Sequence, residues 1–385
     1  MKRLPSIDRI RGLVMVIMAL DHVRDLFHIP ALMQDPTDLA TTTPAIFLTR
    51  WITHLCAPTF VFLSGTSAYL MLRNYPPAEG RRFLLTRGIA LLLLELTVIN
   101  FAFWFDVQFR TIMLQVIYAI GGGLLLLSVL SRLPVRWIGF LGLLIVFGHN
   151  LLPAALPSAS PAVGLVWSLL FRSNLFSFGP SFSLLVAYPL IPWLGIMLAG
   201  FAAGRWMERP PAVRKRWLWR IGLAALTLFI VLRFLNQYGD PAPWAVQNEP
   251  VMTALSFLNV TKYPPSLLYA LVTCGLMLLG LALADGVENA FTRWLAVYGK
   301  VPMFYYLIHW YLIHLGMYAM SFLQGYSWAD IPSGPLNFGR PPGAGISLGG
   351  VYVVWTVLVL LLYPLCRWYG RYKAAHPEKV WLRYI

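Results

Sequence analysis

The sequence predicts an all-α fold, a polytopic membrane helical bundle of about ten transmembrane helices with cytoplasmic N- and C-termini, forming one domain over residues 1–385. Three observations predict it. First, the chain is 58% hydrophobic and only 12% charged, about half the charged share of a soluble protein. Too few ionic groups remain to coat a globule, which excludes a soluble enzyme, and the same composition excludes disorder. Second, apolar runs of about 20 residues, long enough to cross ~30 Å of hydrocarbon, recur ten times. Third, Lys and Arg fall unevenly between alternate connections.

The runs are 10–28, 50–72, 83–104, 111–131, 135–153, 182–204, 217–235, 266–284, 299–322 and 347–366. The first follows the basic Met1-Lys2-Arg3 and continues past signal-peptide length into Asp21-His22 without a small-residue cleavage site, so a retained span is expected. With the N-terminus inside, 23 Lys and Arg fall in inner connections and 7 in outer ones. The seven are Arg24, Arg50, Arg110, Arg172, Arg233, Lys262 and Arg340. The net charge of +15 is therefore read as topology, and no nucleic-acid partner is expected.

The inner connections are mostly short and basic. The outer ones, about 29–49, 154–181, 236–265 and 323–346, are long and rich in Pro, Gly, Ser and Asn. Val163 to Phe171 is apolar and suited to lie along the membrane interface. Irregular outer loops on a helical scaffold point to a substrate handled near the outer face. Cys56, Cys274 and Cys366 form no even framework, so neither a disulfide nor a metal-thiolate site is expected.

Ionisable groups inside spans are costly and mark functional or paired positions. Arg11 and His22 are eleven residues apart, on nearly the same helical face and about 16 Å apart along the axis. A neighbouring stripe carries Asp21, Asp25 and His28, so a carboxylate is placed to orient or charge an imidazole. In the second span Arg50 and His54 share a face at i, i+4, level with His22 if the first two spans are antiparallel neighbours. Plain anchoring of Arg11, snorkelling of Arg50 and an interhelical hydrogen bond of His22 are the structural alternatives. Ser64, Gly65, Thr66 and Ser67 suit close helix packing. Glu95 interrupts the third span, as a partnered group or a proton carrier. Tyr305, Tyr306, His309, Trp310, Tyr311 and His314 form an aromatic and imidazole stretch. The five-residue step from His309 to His314 is not the i, i+4 pair of zinc peptidases, so no metal is assigned. Lys262, beside Tyr263-Pro264-Pro265, sits at the outer mouth of the eighth span and could meet an anionic or carbonyl group; a capped helix start with an interfacial Tyr explains it equally well.

These residues carry a resemblance. Ser6-Ile7-Asp8-Arg9-Ile10-Arg11-Gly12-Leu13, followed by the helix to Asp21-His22, resembles the first span of integral-membrane acyltransferases. The segment His54-Leu55-Cys56-Ala57-Pro58-Thr59-Phe60-Val61-Phe62-Leu63-Ser64-Gly65-Thr66 is similar to bacterial relatives of heparan-α-glucosaminide N-acetyltransferase. Arg11, ten residues, then His22 resembles the Arg-x10-His signature of the acyltransferase-3 superfamily.

The resemblance implies a membrane-bound acyltransferase, with acyl-CoA, often acetyl-CoA, as co-substrate. The acceptor would be a sugar or envelope glycan at the outer side of a bacterial inner membrane. His22 would be the general base or a transient acyl carrier, and Asp21 or Asp25 would hold its tautomer. Arg11 would contact the CoA phosphates or pantetheine, and Arg50 or Lys262 would stabilise charge on the thioester carbonyl; His54 joins them in the cofactor-binding set. In the heparan-type enzymes the catalytic His follows the first span, and His22 matches an Asn of the human-type pattern. His28 and His54 therefore stand as alternatives for the base.

The rival function is a transporter or channel in which Arg11, His22, Glu95 and His309 line a proton or anion pathway. The absence of a sequence repeat between halves weakens that reading. Membrane lipid is an expected partner, and a homo-oligomer is left open.

Overall fold

The first apolar run folds as α1, Pro5–Phe27, with Pro in its first turn and Asp8 at its positive end. It is buried around most of its circumference, which makes it the central helix of the bundle. The computed structural model describes residues 4–153, 160–179, 181–332 and 337–384. The basic start Met1 to Arg3 lies outside the described residues, as do parts of the outer connections 154–181 and 323–346.

The second run divides into α2, Pro44–Thr53, and α3, Cys56–Leu72, broken at His54-Leu55. The third comprises α4, Pro77–Leu94, a π-helical turn at Glu95–Ile99, and α5, Asn100–Trp104. Then come β1, Thr111–Leu114, α6, Val116–Leu130, α7, Val135–Gly148, and α8, Pro161–Leu170. They are followed by β2, Asn174–Ser177, β3, Ser183–Val186, α9, Leu190–Met207, and α10, Pro211–Leu235. The chain continues through α11, Pro250–Leu258, α12, Leu267–Ala284, α13, Ala290–Gly299, α14, Pro302–Leu323, and α15, Leu348–Ala375.

The fold is an all-α polytopic bundle, and each predicted run contains helix. Among the described residues, six helices are long and apolar enough to cross a membrane: 44–72, 77–104, 190–207, 211–235, 267–284 and 348–375. Helices α1 and α14 have 23 and 22 residues but carry the ionisable and aromatic side chains described below. Helices α6 and α7 are shorter, with 15 and 14 residues.

Four details differ from expectation. The fourth and sixth runs open as strands β1 and β3, because an apolar tetrapeptide has no period that separates strand from helix. With β2 they form a three-stranded sheet in the order β1-β3-β2, parallel then antiparallel. The ninth run is interrupted by Pro302, which starts α14 and separates it from α13. Helix α10 begins at Pro211, and Arg214, read from sequence as inner anchoring charge, makes a bidentate pair with Asp285 at 2.8 and 3.0 Å. The connection 236–265 is also more ordered than its composition suggested. Arg233, 1% exposed, donates to the carbonyls of Ala242, Ser256, Phe257 and Asn259 and so organises the segment after α10.

Two close helix crossings set the frame. A Cβ at Gly65 of α3 would lie 2.0 Å from the Met197 carbonyl oxygen of α9, and one at Gly200 would lie 2.1 Å from that of Phe62. Thr66 Oγ1 donates to the Gly200 carbonyl at 2.8 Å across the same contact. Likewise a Cβ at Gly12 of α1 would meet the Leu295 oxygen at 1.9 Å, and one at Gly299 the Asp8 oxygen at 1.8 Å. Only glycine permits these approaches. The α1–α13 crossing joins the N-terminal third to the C-terminal third and brings α14 and α15 against α1.

Candidate functional site

Helices α1, α3, α4 and α6, with the α13–α14 link and the end of α15, enclose a cavity of about 390 Å³. Its cations are Arg11, Arg87, Lys300 and Lys373, and no carboxylate is among its described lining residues. Met15, Met18, Phe60, Leu91, Ile117, Ile120 and Leu124 make the remaining wall largely apolar, and Ser64, Ser67 and Tyr306 add hydroxyls. Arg11 is fixed by three elements: Asp8 Oδ1 at 3.4 Å, the Gly299 carbonyl at 3.3 Å and Ser67 Oγ at 3.2 Å. The close Gly12 and Gly299 approach makes that three-way clasp possible.

Beyond the cavity wall, His22 follows Met18 by four residues and His309 follows Tyr306 by three, so both imidazoles lie one helical turn past lining residues. The two rings meet. His22 Nδ1 and His309 Nε2 are 2.7 Å apart, and the Trp310 ring stacks on His22 with centroids 4.1 Å apart. The edge of Phe103 in turn packs on Trp310 at 4.6 Å. Arg11 and His22 thus occupy one side of α1 as the spacing predicts, with the cavity running along Met15 and Met18 between them.

The acidic stripe has a different partner from the one expected. Asp21 Oδ1 accepts from Arg24 Nη2 at 3.1 Å and Oδ2 from Arg50, while Asp25 accepts from the same Arg24 nitrogen at 2.5 Å. Adjacent residues point ~100° apart on a helix, so Asp21 faces α2 while His22 faces α14. The imidazole partner expected from Asp21 or Asp25 is instead His309. Arg50 closes an ion pair on Asp21. Lys262 is 8% exposed, with Nζ 5.0 Å from the Tyr263 ring centroid.

His54 caps α2 and is 4% exposed. Its carbonyl accepts from Tyr269 Oη at 2.8 Å, and its ring meets the Tyr269 ring edge-on at 5.4 Å. His28 caps the C-terminal end of α1, where its carbonyl accepts from Arg340 at 2.7 Å; burial brings the Arg340 guanidinium down to about 10. Neither ring lines the cavity. Glu95, fully buried in the π-turn, accepts from the Gln115 backbone N–H at 2.5 Å, which ties that turn to the start of α6. No group of three or more His, Cys, Asp and Glu placed to hold a metal occurs among the described residues.

A mostly apolar cavity lined by four cations, with a partly exposed imidazole one helical turn past its wall, can take a long amphipathic molecule with anionic groups. The family model described as heparan-alpha-glucosaminide N-acetyltransferase, catalytic, matches residues 3–238. The chain belongs to this family. It is therefore a membrane-bound acyltransferase of an N-acetyltransferase family. No curated protein matches the chain. The matched segment holds Arg11, His22, Arg50, His54 and Arg87 but ends before Lys262, Lys300, His309 and Lys373. The cavity thus draws on residues inside the matched segment and on Lys300, Tyr306 and Lys373 beyond it.

From the sequence, Arg87, Lys300 and Lys373 read as topological charge. Arg87 lies inside the third apolar run and Lys300 inside the ninth, and that displacement from the connections was the available signal. His309 stood out as a polar residue in a span, but its partner on α1 was not readable from spacing.

Proposed function

We propose that this chain transfers an acetyl group from acetyl-CoA to a sugar or cell-envelope glycan at the outer side of a bacterial inner membrane. The observation that carries the reading is the cavity with four cations in its lining and His22 one turn past its apolar wall. Arg11, Arg87, Lys300 and Lys373 would bind the phosphates of CoA from the cytoplasmic side, a reading the Lys and Arg bias supports. The pantetheine arm would run along Met15 and Met18 and present its thioester to His22.

His22 would take the proton from the acceptor hydroxyl or amine as that atom attacks the thioester carbonyl. The carbon–sulfur bond then breaks, the CoA thiolate leaves, and the proton on His22 passes to it. Arg50 and Lys262 would stabilise the developing oxyanion. Asp21 and Asp25 would act by holding Arg24 and Arg50 rather than the imidazole. Residues 1–385 would work as one domain, because α1 from the matched segment packs on α13, α14 and α15 beyond it.

The test uses the full chain in proteoliposomes with labelled acetyl-CoA and glucosamine as the probe acceptor. Release of free CoA with label on the sugar is expected, together with its loss in His22→Ala. Turnover retained in His22→Ala but lost in His28→Ala or His54→Ala would move the base to one of those residues. Solute movement without CoA release would favour a transporter.

A further inference from the structure

His309 lies outside the matched catalytic segment and is fully buried on α14. Its Nδ1 is 2.6 Å from the Tyr306 carbonyl oxygen and 3.1 Å from that of Tyr305. Carbonyl oxygens only accept, so Nδ1 carries a proton. In a neutral imidazole the lone pair is then on Nε2, the atom 2.7 Å from His22 Nδ1. His22 Nδ1 must therefore donate, which leaves the lone pair of His22 on Nε2.

A doubly protonated His309 would reverse this. No carboxylate contacts its ring among the described residues, however; its neighbours are Tyr305, Tyr306 and Trp310, and a buried cation without a counter-ion is costly.

We propose that His309 is a positioning residue that holds His22 in the Nδ1–H tautomer, so that Nε2 is the nitrogen that accepts the proton during acetyl transfer. The inference rests on the proposed acetyl transfer for its catalytic meaning, but the tautomer itself does not depend on it. Two backbone carbonyls, transmitted through one imidazole, do here what a carboxylate does in an acid–histidine pair. His22 donates through Nδ1 both before and after its Nε2 takes up a proton. The pair therefore needs no reorganisation during the step, and the carbonyl dipoles favour the charge that appears on His22. Stacking by Trp310 fixes the plane in which this bond forms.

The test combines nitrogen NMR of 15N-histidine-labelled full chain in lipid nanodiscs, assigned with His22→Gln, with acetyl-transfer kinetics. In the wild type, His22 Nδ1 is expected to resonate as N–H and Nε2 as the bare nitrogen. His309→Leu should lose that pattern and lower kcat about 10- to 100-fold, with KM for acetyl-CoA changed less than about twofold. His309→Gln, which returns an acceptor toward Nδ1, should recover most of both. If His309→Leu does not fold, the glutamine variant carries the test through its retained tautomer. A wild-type His22 protonated on Nε2 overturns the proposal, as does a His309→Leu variant with unchanged tautomer or with kcat and KM damaged together. Correct tautomers without any acetyl transfer would overturn the proposed function and leave this assignment standing.

Discussion

His22 and His309 are separated by 287 residues in sequence and by 2.7 Å between Nδ1 and Nε2. The contact joins the central helix α1, within the family match, to α14, outside it. It puts an imidazole beside the apolar cavity with one nitrogen engaged, and the lone pair of the other is left for chemistry.

Replacing His22 by Ala is expected to lower acetyl transfer at least 100-fold, the usual contribution of a positioned general base, while acetyl-CoA still binds. The check is single-turnover transfer alongside equilibrium binding in nanodiscs.

Arg87→Ala is expected to raise KM for acetyl-CoA about tenfold with kcat little changed, since a charge-assisted hydrogen bond contributes about 1.5–3 kcal/mol. Lys300→Ala and Lys373→Ala should behave alike, and Arg11→Ala should weaken acetyl-CoA binding more than acceptor binding. Steady-state kinetics at two ionic strengths measures this; equal loss toward both substrates would indicate a folding role.

Asp21→Asn leaves Arg24 and Arg50, which are buried or nearly so, without half their counter-charge. Removing one partner of a buried pair costs about 3–5 kcal/mol. Thermal unfolding of the solubilised chain should shift down by several degrees, and Asp25→Asn, whose side chain is more exposed, should shift it less.

Gly200→Leu places a side chain where a Cβ alone would lie 2.1 Å from the Phe62 carbonyl oxygen. The α3–α9 crossing should open, and folded yield by size-exclusion chromatography should fall sharply. Gly164→Leu, at a glycine whose Cβ meets nothing within 4 Å, should leave it unchanged.

Much of the fold is legible because membrane helices must satisfy their backbone internally and their apolar length is set by the bilayer. The helix carrying Arg11 and His22 and the small residues at Gly65 follow from local pattern, whereas the break at His54-Leu55 inside the run 50–72 does not. What was hidden has a local cause too. The short segment Thr111–Leu114, three apolar residues after a Thr, reads the same as strand or helix start, and so β1 merges with the run that contains α6. The site was half legible. Spacing on α1 placed Arg11 and His22 on one side, but nothing local says that Asp21 turns to Arg50 or that His22 turns to α14. Arg87, Lys300 and Lys373 obey the charge bias of inner connections, and only the helix crossings gather them around one cavity.

The most direct measurement of the central claim is free CoA thiol released by the full chain in proteoliposomes given acetyl-CoA on the side of the basic mouth and glucosamine on the other. The account predicts one CoA released per acetylated sugar, on the acetyl-CoA side, and its loss in His22→Ala. Equal CoA release in that variant, or acetylated sugar only when both substrates share one side, would contradict it.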